Sequence, residues 1–282
     1  MPLEFTKMHG LGNDYVVVAL FDQSLEQPAE LAPRICARHS GVGADGLILV
    51  GPPQSPGGHL RIEIFNADGS RAEMCGNGIR CVAKRAYEAG WARENPLRIE
   101  TDAGVRTVEL SVDPAGRVGD VRVDMGVPVL DPQKIPVALG GDRVVGMSVP
   151  LMGKMLSATC VSIGNPHAVF FTDNLARVPL AEWGPKLERH PLFAQRINVH
   201  FAQVLARDRV KMASWERGVG ATQACGTGAC AVCVAGALTE RTGRKLTARL
   251  PGGELRLEWD QQSNHVFMTG PATEVFTGRW PH

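Results

Sequence analysis

No stretch of this 282-residue chain reaches the 18 or more consecutive apolar residues that a membrane-spanning helix needs. Charge of one sign is also missing. Thirty Lys and Arg against 29 Asp and Glu leave a net charge of +1, so nothing electrostatic argues for nucleic acid or an anionic membrane as a partner. Met1 to Lys7 show no basic segment leading into an apolar one, so no secretory signal is expected. There is no low-complexity tract. Cysteine is present but odd in number, seven residues at positions 36, 75, 81, 160, 225, 230 and 233, which argues against the disulfide framework of a secreted protein. A reduced, cytoplasmic protein is expected. With 44% hydrophobic and 21% charged residues the composition is that of an ordinary globular chain. Its length suggests two domains of roughly 150 residues each.

Helical patterning is scarce. Most of the chain reads as short β-branched runs cut by 32 Gly and 19 Pro, among them Tyr15–Val18, Leu60–Phe65, Val105–Leu110, Val118–Val123, His167–Phe171, Asn198–Val204 and Leu255–Trp259. Leu31–Arg38 reads as a helix, and Leu187–Phe193 as a turn at most. Two clearer helices follow Cys75 and Cys225. In the first, Ile79, Val82, Ala83 and Ala86 recur at helical spacing and Gly90 is the expected C-cap. In the second, Ala229–Ala235 is apolar all round, the mark of a buried helix. Each half is therefore expected to be a curved sheet wrapped around one central helix. The segment from Gly126 to Gly141 is the expected crossover.

What the chain does contain is a repeat. Cys75-Gly76-Asn77-Gly78 and Cys225-Gly226-Thr227-Gly228 each open a helix, and each follows a Gly-Asn pair. Cys75 lies 63 positions after Gly12, and Cys225 lies 61 after Gly164. A chain that repeats once, with one cysteine at the same point of each half, predicts two similar lobes presenting two thiols to one cleft. That pairing suits removal of a proton from one face of a carbon and its return to the other.

Each cysteine precedes the first residue of its helix. A helix N-terminus can lower a thiol pKa, and its free N–H groups can hold a carboxylate. A lone cysteine beside glycine would be read as a small buried residue; the matched context argues otherwise. Cys36, Cys81, Cys160, Cys230 and Cys233 lack that context and are expected to pack in cores. Cys225, Cys230 and Cys233 do not read as a metal cluster. The last two lie inside a buried helix with no nearby histidine and no second Cys-x-x-Cys.

The motifs around the cysteines are similar to those of the diaminopimelate epimerase family. The matching segments are Phe5 to Asp14, Gly41 to Gly46, Phe65 to Ser70, Glu73 to Arg80, Gly164 to His167, Asn198-Val199, Trp215 to Gly218 and Ala224 to Gly228. They occur in order and span nearly the whole chain. The resemblance implies an α+β fold of two pseudo-symmetric lobes, each a curved mixed sheet around a central helix, with the substrate in the cleft between them. The expected lobes are 1–126, completed by the last strand at 272–282, and 127–271. It further implies that Cys75 and Cys225 act as base and acid on opposite faces of the substrate α-carbon. His167 and Glu216 would tune the thiols. Gly76-Asn77 and Gly226-Thr227 would hold the reacting carboxylate. Asn13, Asn66, Asn165, Asn198, Glu216 and Arg217 match the ligand-recognition positions, Arg217 suiting a carboxylate through its two-pronged guanidinium. Taken alone, any one of these asparagines would be read as a turn residue, and His167 as a structural histidine.

The expected activity is interconversion of LL- and meso-diaminopimelate, in lysine and peptidoglycan precursor biosynthesis, with no metal and no other cofactor. Two departures stand out. Gly46 replaces a glutamine found in some relatives, and Phe276 stands where relatives that dimerise often carry tyrosine, so a homodimer with Phe276 near its interface is expected. Rival readings are a proline or hydroxyproline racemase, a phenazine-type isomerase on the same fold, and a thiol redox-switch protein. The Glu216-Arg217 pair disfavours a substrate as small as proline, and phenazine-type isomerases lack the paired cysteines.

Overall fold

The computed structural model describes residues 2–72 and 74–281; Glu73 of the quoted motif and the chain ends Met1 and His282 lie outside them. In chain order the first elements are β1 (Leu3–Gly10), β2 (Asn13–Ala19), α1 (Pro28–Ile35), β3 (Gly46–Gly51), β4 (Leu60–Asn66), β5 (Arg71–Ala72) and α2 (Gly76–Ala89). Then come β6 (Leu97–Thr101), β7 (Gly104–Val112), β8 (Val118–Asp124), β9 (Met147–Leu151), β10 (Lys154–Ser162) and β11 (Pro166–Phe171). The chain ends with α3 (Leu180–Glu188), β12 (Asn198–Ala206), β13 (Arg209–Glu216), β14 (Gly220–Thr222), α4 (Gly226–Leu238), β15 (Lys245–Leu250), β16 (Gly253–Trp259), β17 (Val266–Pro271) and β18 (Thr273–Trp280). The chain divides into two compact units, Met1–Asp124 with Thr269–His282, and Met125–Met268.

The two units repeat one pairing scheme. In the first, β18–β1 and β1–β2 are antiparallel, β2–β3 parallel, β3–β4 antiparallel, β4–β6 parallel and β6–β7 antiparallel. In the second, β9–β10 and β10–β11 are antiparallel, β11–β12 parallel, β12–β13 antiparallel, β13–β15 parallel and β15–β16 antiparallel. The short β5 and β14 hang on β4 and β13 in the same way. The chain's last strand thus fills in the first unit the place that β9 fills in the second.

Each sheet curls around one helix, α2 touching β1, β2, β6, β7, β8 and β18, and α4 touching β10, β11, β12, β15 and β16. The buried faces follow from sequence. Ile79, Val82, Ala83 and Ala86 of α2 are fully buried, while every residue of α4 from Gly228 to Gly236 is buried, as an apolar run with no polar stripe demands. Gly90 ends α2 in the left-handed region at φ 77°, where its N–H reaches Ala86 O and Tyr87 O.

Two helices differ from their sequence patterns. α1 starts three residues before Leu31 and stops at Ile35, because Pro28 supplies a pre-set first turn. In place of a turn over Leu187–Phe193, α3 forms over Leu180–Glu188 despite Gly184 and Pro185. Tertiary packing overrides propensity there. A Cβ on Gly184 would lie 2.5 Å from the Trp215 ring, so the glycine lets the helix close on that indole. The buried Glu188 then accepts from Trp215 Nε1 at 2.8 Å.

Candidate active site

Asn13, Tyr15, Cys75 and Asn77 converge in the first unit. Cys75 is the N-cap of α2, its carbonyl accepting the first helical bond from Ile79 N at 2.9 Å. Asn13 opens β2, and its Nδ2 donates to Asp45 Oδ2 at 2.7 Å, which turns its Oδ1 toward the helix. There Oδ1 accepts from Asn77 Nδ2 at 3.0 Å and from the Tyr15 hydroxyl, and it lies 3.9 Å from Cys75 Sγ. The Tyr15 hydroxyl oxygen is 2.8 Å from Cys75 Sγ. Burial, and next the charge of a Cys75 thiolate, push the Tyr15 phenol well above its ordinary range, so it stays protonated.

A charged network fixes this corner. Asp14 receives Lys7 Nζ at 2.5 Å and Arg38 Nη2 at 2.9 Å, and Arg38 also reaches Asp45 at 2.7 Å. Burial alone would raise Asp14; the bonds from Arg38 and Lys7 outweigh it and hold the carboxyl below its usual range. Asn66 is separate from this cluster. It is exposed at the end of β4, donating to Ser70 Oγ at 2.9 Å.

In the second unit Cys225 caps α4, and Ala229 N donates to its carbonyl at 3.0 Å. The thiol is 3% exposed, whereas Cys75 is half-buried. Burial pushes the Cys225 thiol well above its ordinary range, and the Glu216 carboxylate adds to the effect. The Thr227 hydroxyl and the Gly228 N–H pull the other way and are outweighed. The expectation that a helix N-terminus lowers the thiol therefore fails at Cys225, because desolvation of the anion is the larger effect. Glu216, at the end of β13, also accepts from Thr222 Oγ1.

Asn165 and His167 complete this cluster, with His167 Nε2 at 2.8 Å from Asn165 Oδ1. His167 Nδ1 is 2.9 Å from His200 Nε2, and His200 Nδ1 is 2.8 Å from Ser214 Oγ. With Asn165 presenting its oxygen, the chain has one direction: Ser214 donates to His200, His200 to His167, and His167 to Asn165. Asn198 lies opposite His167 on β12 and is tied to backbone, donating to Pro166 O at 2.8 Å and accepting from Arg217 N at 2.9 Å. Arg217 is exposed and its guanidinium reaches Gln195 O at 3.2 Å.

Among the described residues, His167, His200 and Cys225 form the one group with metal-ligand chemistry, their ligand atoms all within 4.8 Å of one another. Two nitrogen ligands about 2.05 Å from a tetrahedral zinc would sit about 3.3 Å apart. The imidazoles face each other at 2.9 Å, which is hydrogen-bond spacing.

Both imidazoles are buried and neutral: burial lowers His167 well below its ordinary range and takes His200 to about 3. An unfolded histidine binds a proton near pH 6.5, and folded His200 does so only near 3, so stability falls as pH drops through that window. By pH 5 the loss from His200 is about 2 kcal/mol. Urea unfolding at pH 7 and pH 5 checks this: His200→Gln should lose about 2 kcal/mol less than the parent between the two, and equal losses would clear His200.

Sequence reasoning missed Tyr15, Asp45 and His200 as parts of these clusters. Tyr15 was visible only as part of a β-run. Its place two residues after Asn13, matching His167 after Asn165, is the signal that would have found it.

The fold recurs in a solved structure. A probable proline racemase from Agrobacterium radiobacter K84 matches with a TM-score of 0.73 at 16% identity, over 99% of this chain and 93% of that one, which places the chain in a fold shared with that protein. Sequence resolves it further. The diaminopimelate epimerase family matches residues 5–130 and 159–275. The diaminopimelate epimerase of Acetivibrio thermocellus is 49% identical over 98% of both chains, and that of Moorella thermoacetica 51% identical over 99% of both. The chain belongs to the diaminopimelate epimerase family.

Proposed function

We propose that this protein interconverts LL- and meso-diaminopimelate by two-base proton transfer at the α-carbon, with no metal or pyridoxal phosphate. The observation that carries the reading is the pair of cysteines, each an N-cap of the central helix of its unit in the same Gly-Asn and Cys-Gly-x-Gly context, in a chain about half identical to two full-length diaminopimelate epimerases. Burial and the Glu216 carboxylate favour Cys225 as the protonated partner. The thiolate takes the α-proton from one face, the carbon holds the electron pair as an enolate, and the opposite thiol delivers its proton.

The first-turn N–H groups at Gly76-Asn77 and Gly226-Thr227 hold the reacting carboxylate, where the helix ends favour the growing negative charge. Asn13, Asn66, Asn165, Asn198 and Arg217 recognise the rest of the ligand, Arg217 taking the distal carboxylate and Glu216 the distal ammonium. His167, held neutral, orders Asn165 and the ground beside Cys225. The enzyme works in the cytoplasm; no helix among the described residues is long and apolar enough to cross a membrane. It acts as a homodimer through the β18 face, where Val275 and Phe276 are 54% and 46% exposed.

Proton NMR of meso-diaminopimelate with the reduced protein in D₂O, without added metal or pyridoxal phosphate, tests the reading. The α-proton signal should disappear while the LL isomer grows in. A folded, fully reduced protein that leaves the signal intact would overturn it.

A further inference from the structure

The repeat puts Tyr15 and His167 in equivalent places. β2 begins Asn13-Asp14-Tyr15 and β11 follows Asn165 with Pro166-His167; Tyr15 lies opposite Gly46 on β3 as His167 lies opposite Asn198 on β12. Each bonds the side-chain oxygen of the asparagine two residues earlier, and each is buried beside the cysteine of its own unit. The chemistry of the two differs. His167 is locked in a one-way chain of hydrogen bonds, whereas Tyr15 carries a hydroxyl whose single hydrogen can turn.

We infer that the Tyr15 hydroxyl is a two-state partner of Cys75, donating to the sulfur while it is ionised and accepting from it once it has taken a proton. The inference rests on the reading of Cys75 as a proton-transferring thiol. The geometry leaves few alternatives. Asn13 Nδ2 is bound to Asp45, so the oxygen facing Tyr15 is an acceptor only. When Cys75 is a thiol, S–H donates to Tyr15 Oη, and the hydroxyl hydrogen goes to Asn13 Oδ1. When Cys75 is a thiolate, the hydroxyl turns to the sulfur, and Asn13 Oδ1 keeps Asn77 Nδ2 as its donor at 3.0 Å. Neither state strands a buried polar atom, the condition under which such a group is costly.

In the chemical step the substrate C–H bond breaks and the S–H bond forms. The carbon keeps the electron pair, and the hydroxyl hydrogen rotates from sulfur to Asn13 Oδ1. Tyr15 does not ionise and nothing is oxidised. Its raised phenol pKa is consistent with that role.

Tyr15→Phe removes the oxygen and keeps the ring, which packs beside Gly46 and Gly78. Losing a hydrogen bond to the charged sulfur lowers the thiolate population, and the more basic thiolate that remains offsets about half of that, so kcat should fall about threefold, with KM unchanged because Tyr15 does not hold the substrate. Iodoacetamide labelling of Cys75, followed by peptide mass spectrometry at neutral pH, gives a readout that a packing role would not move. The thiolate fraction should fall about tenfold, and the remaining thiolate is more nucleophilic with about half that sensitivity, so labelling should slow about threefold. Unchanged labelling, or a kcat within twofold of the parent, in a variant with parental circular dichroism and urea midpoint overturns the inference. Labelling needs no substrate. A parent protein that failed to epimerise meso-diaminopimelate would sink the functional reading, while the Cys75 labelling rates would still decide the role of Tyr15.

Discussion

Cys75→Ala and Cys225→Ala should each cut epimerisation of meso-diaminopimelate by about 10³-fold or more, with the fold intact. A positioned acid or base contributes roughly 10²–10⁴, and here neither has a substitute. The five other cysteines do not serve: Cys36, Cys81, Cys160, Cys230 and Cys233 are all buried, Cys81 and Cys160 with thiols pushed up to about 12 by burial. The two variants should also differ in kind from a generally damaged enzyme. A single remaining thiol can remove a proton and return deuterium only from its own side. Residual exchange in D₂O therefore proceeds with retention, on one stereochemical face in Cys75→Ala and on the other in Cys225→Ala. Circular dichroism establishes that each variant is folded, and proton NMR reads both exchange and inversion. Inversion within tenfold of the parent in either variant would sink the two-thiol mechanism.

The pairs Gly12-Asn13 with Cys75 and Gly164-Asn165 with Cys225 were legible because turn and cap chemistry is local, and a helix start after an extended cysteine needs no tertiary information. The strand runs were legible for the same reason, Val and Ile crowding between glycines. What failed was what depends on a distant partner. α3 escaped notice because Gly184 and Pro185 speak against a helix, and only the Trp215 ring explains the glycine. His200 reads as a surface or structural residue until β12 lies beside β11 and brings it within 2.9 Å of His167. At Cys225 the sequence shows the helix end that lowers a thiol pKa but not the burial that raises it.

The second glycine of each Cys-Gly-x-Gly segment has a packing reason that the two units test against each other. Gly78 and Gly228 sit in the first turns of α2 and α4, each covered by the third residue of the strand that pairs in parallel with β2 or β11. Over Gly78 that residue is Ile48, whose Cδ1 would lie 2.7 Å from an added Cβ; over Gly228 it is His200, whose ring would lie 2.2 Å away. The far end of an isoleucine can move to another rotamer. The His200 ring cannot yield without breaking its bonds to His167 and Ser214. Gly78→Ala should therefore change stability little, the gain of about 1 kcal/mol from replacing a helical glycine offsetting modest repacking. Gly228→Ala should cost about 3 kcal/mol, the upper range for overpacking a rigid core. Because Gly228 N–H also bonds the Cys225 sulfur, the same variant should lose epimerase activity beyond what its folded fraction explains. Urea unfolding of the two glycine variants, of His200→Ala and of Gly228→Ala combined with His200→Ala decides it. The double variant should cost clearly less than the sum of Gly228→Ala and His200→Ala alone, because the atom that Cβ meets is gone. Equal costs at Gly78 and Gly228, or a double variant whose cost is the plain sum of the single variants, would show that the glycine answers to backbone geometry and not to the imidazole above it.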